Sequence, residues 1–179
     1  MKFIKGLGVV LLLALVSAIG AYFGRHELTR MQENLPPFTS AAGKTEQVWV
    51  EMRDGVRLFS SVALPEGEGP FPTVLIRNPY ARFATIMRAT VCGRMVRYGY
   101  ACVLQDVRGQ GESEGEWSPM VNEVRDGKDT INWLVKQSFQ DGNIAMVGPS
   151  YLASVQYAVA ASGLPNEVKT LVPAVYAAD

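Results

Sequence analysis

The segment Ile144-Ala145-Met146-Val147-Gly148-Pro149-Ser150-Tyr151 carries the strongest chemical signal in the chain. A short apolar run of strand character leads straight into Gly-x-Ser, and a run of helical character begins at Tyr151. A serine on such a strand–turn–helix junction is lifted above the sheet edge, where it can attack a carbonyl carbon. Small neighbours let the backbone turn. The N–H of the residue after the serine points to where an oxyanion would develop, and the helix N-terminus adds positive potential there. The commonest form of the pattern has glycine at position 152, where this chain has Leu152. Read alone, Ser150 serves equally well as a plain helix N-cap.

Two other loops follow strand-like runs. Arg77-Asn78-Pro79-Tyr80 comes directly after Thr73-Val74-Leu75-Ile76. A tyrosine hydroxyl there could supply a second oxyanion donor, and by itself it is also an ordinary loop aromatic. Asp106 to Gly115 follows the run Tyr100 to Leu104 and contains Gly109 and Gly111. A dinucleotide fingerprint would need a third glycine at 114, where the chain has Glu114, and no Walker lysine follows. This loop reads as scaffold, and no cofactor is expected. Cys92 falls on a helix-like stretch and Cys102 in a buried strand, so they read as two unpaired thiols. Two cysteines and one histidine are too few for a disulfide framework or a metal site.

The elements that position these residues alternate in a recognisable order. Gln47 to Met52 and Val56 to Leu64 are strand-like and joined by Arg53-Asp54-Gly55, a hairpin signal. Then come strand 73–76, helix 83–98 stopped by Gly99, strand 100–104, helix 122–136, strand 144–147, helix 151–162 and strand 168–172. A hairpin followed by repeated β-α units argues for a mostly parallel sheet flanked by helices. A length of 179 residues fits one domain. Lys+Arg and Asp+Glu both number 17, so the net charge is zero and nucleic-acid binding has no support.

The N-terminus has its own character. Lys2 and Lys5 precede an uncharged apolar run, Gly6 to Phe23, closed by Arg25. Residues 1–24 read as a signal peptide or an N-terminal membrane anchor, with the small residues Ala18-Ile19-Gly20 at a cleavage spacing and a length near the lower limit for a span. The protein is therefore expected to be exported, periplasmic or extracellular, or held by a membrane tether through residues 6–23. Residues 25–45 read as a tether without apolar period, carrying Leu35-Pro36-Pro37. Residues 46–179 read as the folded part of the chain, which carries the loops described above.

Taken together, the segments resemble the cocaine esterase and X-prolyl dipeptidyl-peptidase group of α/β-hydrolases. The matching stretches are Met52-Arg53-Asp54-Gly55-Val56-Arg57-Leu58, Arg77-Asn78-Pro79-Tyr80, Gln105-Asp106-Val107-Arg108-Gly109, Ser113-Glu114-Gly115-Glu116, Asp141-Gly142-Asn143-Ile144 and Gly148-Pro149-Ser150-Tyr151-Leu152. The resemblance implies an α/β-hydrolase fold, cut after about the sixth strand. It also implies a serine hydrolase acting on an acyl ester or an X-prolyl peptide or amide. Ser150 matches the nucleophile, Tyr151 the residue whose backbone N–H lines the oxyanion hole, and Tyr80 the tyrosine whose hydroxyl completes it. Ala153 stands where the group has glycine and is expected to crowd the turn slightly.

A triad serine needs a histidine and a carboxylate, which in this fold follow it in chain order. No histidine follows Ser150, the single His26 precedes the folded part, and Asp179 matches an aspartate short of the triad acid. The chain is thus expected to be a fragment, inactive alone. A non-catalytic exported binding module on a degenerate hydrolase scaffold is the alternative. Neither the oligomeric state nor the choice among substrates is legible.

Overall fold

A computed structural model describes residues 24–175 together with residues 14, 17 and 20. Most of the signal or anchor segment, and Asp179, lie outside the described residues. Among the described residues, no helix is long and apolar enough to cross a membrane. The chain divides into two compact units, Met1–Pro37 and Phe38–Asp179.

In the first unit, residues 24–32 are helical rather than irregular. Arg, Glu, Leu, Met and Gln are good helix formers, and Glu27 and Arg30 pair one turn apart. The Thr29 hydroxyl bonds back to the Arg25 carbonyl at 2.8 Å. The sequence lacks a long apolar stripe here, which is why periodicity alone did not reveal the turn.

The second unit is built on a six-stranded sheet: β1 (Ala42–Glu51), β2 (Arg57–Pro65), β3 (Phe71–Asn78), β4 (Ala101–Asp106), β5 (Gln140–Pro149) and β6 (Val168–Ala174). Their order across the sheet is β1-β2-β4-β3-β5-β6. The β1–β2 and β2–β4 pairs are antiparallel, and β4–β3, β3–β5 and β5–β6 are parallel. β1 starts five residues before the expected Gln47, since Ala42 already pairs with Pro65. The hairpin turn is closed by Gly55, at φ 83°, whose N–H donates to the Met52 carbonyl at 2.9 Å.

Alternation along the strands divides the core. Leu75, Val103, Ile144 and Met146 pack with Ile131 and Leu134 of the helix Glu123–Leu134 and with Val159 of the helix Tyr151–Ala160. Val74, Ile76, Cys102 and Leu104 face the other way. They meet Ala84 and Cys92 of a helical stretch that runs from Ala81–Phe83 through Ala84–Met87 and a π turn, Arg88–Cys92, to Gly93–Arg97. Helices therefore cover both faces, and the fold is that of an α/β-hydrolase.

One expectation is corrected here. Cys92 and Cys102 are not free thiols: they form a disulfide, with Cα atoms 5.3 Å apart. Cys102 lies on the strand face that this helix covers, and Cys92 lies on the helix's inner side, so both sulfurs point into the same layer. A separation of ten residues spanning a helix end, a turn and a strand start is compatible with that closure.

Candidate active site

Ser150 ends the turn between β5 and the helix Tyr151–Ala160, at φ 58° and ψ −126°. A non-glycine residue reaches such angles only when its surroundings impose them. Here its N–H donates to the Ala174 carbonyl of β6 at 2.9 Å. Its carbonyl accepts from the Ala153 and Ser154 N–H groups at 2.9 and 3.2 Å. The side chain is left exposed beyond the end of β5. Gly148 makes the turn possible: it sits at φ 142°, and a Cβ there would lie 2.5 Å from the Leu152 Cβ. Leu152 itself is 2% exposed, so the residue absent from the commonest pattern is the core plug beneath the turn. Ala153 is fully buried without displacing the serine.

Tyr80 reaches Ser150 from the neighbouring strand end. β3 and β5 lie side by side and parallel, so the loops that leave them emerge at the same edge of the sheet. The Asn78 side chain shapes the loop: its Oδ1 accepts from the Tyr80 N–H at 3.0 Å, and its Nδ2 donates to the Tyr80 carbonyl at 3.3 Å. The Tyr80 hydroxyl is then 3.1 Å from the Ser150 Oγ. Asn78 is held in turn by Asp106 at the end of β4, whose Oδ1 it meets at 3.3 Å. Burial pushes the Asp106 carboxyl above its ordinary range, against the hydrogen bonds from the Glu112 N–H and the Asn78 amide.

Tyr151 is the first residue of its helix, so its N–H has no intrahelical partner. Its hydroxyl turns the other way, away from Ser150, donating to Glu123 Oε1 at 3.0 Å and accepting from the Met120 N–H at 2.8 Å. Burial, and secondarily the nearby Glu123 charge, push this hydroxyl up to about 12. The Trp117 ring lies 5.3 Å from the Tyr151 ring.

Beneath the turn lies a buried polar group that the sequence did not disclose. Arg77 is fully covered, and its Nη1 meets Glu123 Oε2 at 2.7 Å and the Glu123 carbonyl at 3.1 Å. Its Nε donates to Gln105 Oε1 at 3.0 Å, which Thr130 also reaches at 2.8 Å. Arg77 lies one residue from the end of β3 and Glu123 opens a helix, both places where charged residues are usually solvated. The only hint was Arg77 standing flush against an apolar run.

The loop 106–115 is tied to its surroundings by side-chain bonds. Arg108 makes a two-pronged pair with Asp126 at 2.7 and 2.9 Å and also meets Asp54 at 3.0 Å. The Ser113 hydroxyl donates to the Asp106 carbonyl at 2.6 Å and accepts from the Phe59 N–H at 2.9 Å.

The structure thus brings Ser150, Tyr151 and Tyr80 together. His26 belongs to the first unit and Ser150 to the second. Among the described residues, no cluster of His, Cys, Asp and Glu is grouped to hold a metal ion.

The chain is similar to known proteins over most of its length. Residues 54–179 match the model of the family described as X-Pro dipeptidyl-peptidase (S15 family). The chain is 43% identical over 135 residues to the cocaine esterase of Rhodococcus sp. (strain MB1 Bresler), covering 74% of this chain and 23% of that esterase. An α-amino acid ester hydrolase of known structure superposes with a TM-score of 0.64 at 31% identity, over 77% of this chain and 27% of that one. A CocE/NonD family hydrolase from Staphylococcus aureus superposes with a TM-score of 0.62 at 30% identity, over 71% and 26%. The chain therefore spans about a quarter of the length of these relatives.

Proposed function

We propose a serine-hydrolase function for this chain, which belongs to the X-Pro dipeptidyl-peptidase (S15) family. Ser150 is the nucleophile. Its Oγ attacks the carbonyl carbon of a small-molecule acyl ester or an X-prolyl peptide or amide, and the carbonyl oxygen becomes an oxyanion. The Tyr80 hydroxyl and the Tyr151 N–H hold that oxygen. The supporting observation is the 3.1 Å approach of the Tyr80 hydroxyl to a serine held at φ 58° ahead of a helix N-terminus. Donors fixed before the charge develops stabilise it without reorganisation.

The serine proton must go to a base. No histidine follows Ser150 in the 179 residues, so the base in this reading, with the acid that orients it, comes from elsewhere in the native protein. Loss of such a base lowers turnover by roughly 10⁶, and residues 1–179 by themselves are then inactive on the bench timescale. Ester substrates gain support from the ester-cleaving names of two relatives. Export, with or without a tether through residues 6–23, gains support from the Cys92–Cys102 disulfide, which persists in oxidising compartments.

The test is made on the protein as its source cells produce it, with substitutions placed in the chromosomal gene. Hydrolysis of p-nitrophenyl acetate and of an X-prolyl p-nitroanilide is compared between the parent and Ser150→Ala. Loss of both activities is expected. Turnover retained by Ser150→Ala overturns the assignment.

A further inference from the structure

We infer that the buried Arg77–Glu123 pair is a positioning device for the Ser150–Tyr151 peptide, acting through the Tyr151 hydroxyl. The inference rests on the serine-hydrolase reading and adds to it residues that touch no substrate.

The direction of the Tyr151 N–H is set by two torsions, ψ of Ser150 and φ of Tyr151. Ser150 sits at φ 58° and ψ −126°, outside the wells a serine holds by itself, so the peptide that follows must be fixed by its neighbours. Tyr151 is gripped at three points. Its hydroxyl donates to Glu123 Oε1 at 3.0 Å, it accepts from the Met120 N–H at 2.8 Å, and the Trp117 ring lies 5.3 Å from its own. Glu123 cannot drift, because its other oxygen is held by Arg77 at 2.7 Å, with the two side chains 4% and 0% exposed. Arg77 is anchored through Gln105 Oε1 at 3.0 Å, and Gln105 donates to the Ser60 hydroxyl at 3.2 Å. One line of hydrogen bonds therefore runs from the central strands to the residue after the serine.

Stability alone does not account for this arrangement. Burying an ion pair often stabilises a fold no more than well-packed apolar residues would. The Arg77 Nη2 also stays buried without a hydrogen-bond partner among the described residues. Gly127 lies beside this pair: a Cβ there would overlap the Val159 side chain, 2.2 Å away, and come to 3.2 Å from Arg77 Nη1. What the pair does provide is a rigid acceptor at a fixed distance from the helix start.

The test uses the source-produced protein with Tyr151→Phe, Glu123→Gln and the double variant, each normalised by active-site titration so that only competent molecules count. For Tyr151→Phe, kcat on p-nitrophenyl acetate should fall roughly tenfold to a hundredfold with KM little changed. The Ki of a boronic acid that mimics the tetrahedral state should rise by the same factor. The double variant should be no worse than the poorer single one, because both cut the same line. Unchanged kcat and Ki in Tyr151→Phe, or losses that simply add, overturn the inference while leaving Ser150 in place. Activity surviving in Ser150→Ala overturns the underlying reading instead.

Discussion

Tyr80 stands on the loop after β3, 36% exposed, with its hydroxyl 3.1 Å from the Ser150 Oγ. Tyr151, the residue after the same serine, sends its hydroxyl to Glu123 and, as the first residue of its helix, has an N–H with no intrahelical partner. The two regions use the same residue type from opposite ends. The Tyr80 loop is held mainly by short-range bonds, an Asn78 side chain clasping the next backbone turn. The Tyr151 turn is held by a line of buried groups that reaches the middle of the sheet. In the proposed reading, a side-chain donor on an exposed loop is aimed mainly by bonds local to that loop. A donor on the backbone of a strained turn can be aimed only by the fold itself.

The largest expected effect separates these two kinds of support. Tyr80→Phe in the source-produced protein should lower kcat by about 10² to 10³, with thermal stability changed by no more than about 0.5 kcal/mol. Steady-state kinetics and a thermal melt check it together. A large loss of stability would erase the contrast, because the hydroxyl would then be structural.

The Cys92–Cys102 disulfide should come next. It ties the helix after the Tyr80 loop to β4, closing a loop of about ten residues, for which chain-entropy estimates give about 3 kcal/mol. Replacing both cysteines by alanine should lower the melting temperature accordingly, while hydrolysis by the folded fraction persists. Loss of activity without loss of stability would move the disulfide into the site.

Tyr151→Phe should cost no more stability than loss of the disulfide, but more than Tyr80→Phe. It strips a partner from the buried Glu123 carboxylate and from the Met120 N–H, a cost of about 1 to 3 kcal/mol. Read beside Tyr80→Phe by calorimetry, it sharpens the contrast: one hydroxyl matters to the reaction alone, the other to the fold as well.

The residues assigned to the proposed site could be picked out of the sequence because their local patterns are short. Gly148-Pro149-Ser150-Tyr151 needs only the strand before it and the helix after it, and Tyr80 needs only its place behind β3. The succession of strands and helices along the chain followed from the hairpin and the β-α repeats, but not their order across the sheet, where β4 lies between β2 and β3. What stayed hidden depends on facing rather than spacing. Arg77 and Glu123 are 46 residues apart and meet only because β3 and the helix Glu123–Leu134 are packed together. The disulfide was missed for the same reason, since nothing in a strand residue and a helix residue states that their side chains enter one layer. Leu152 was legible as a departure, but its purpose, filling the space that Gly148 leaves open, is a packing fact.

The smallest effect belongs to a second arginine–carboxylate pair, whose setting differs from that of Arg77 and Glu123. Arg53 reaches Asp129 from the hairpin turn, with side-chain exposures of 54% and 13%. Hydrogen bonds from the Arg53 side chain hold the Asp129 carboxyl below its ordinary range, against a smaller opposing effect of burial. The native state thus favours ionised Asp129 more than the unfolded chain does. Its contribution is present above the unfolded value, near pH 4, and fades as pH falls through the lowered native value. Asp129→Asn should therefore lower the melting temperature by about 2 °C or less at pH 7, and the difference from the parent should shrink as pH falls below about 4. High salt should shrink it as well, since the pair is partly open to solvent. A difference that persists into acid would mean that Asp129 acts through packing, and the distinction between a solvated pair at the rim and a buried pair beneath the turn would then have to be drawn on shape instead of charge.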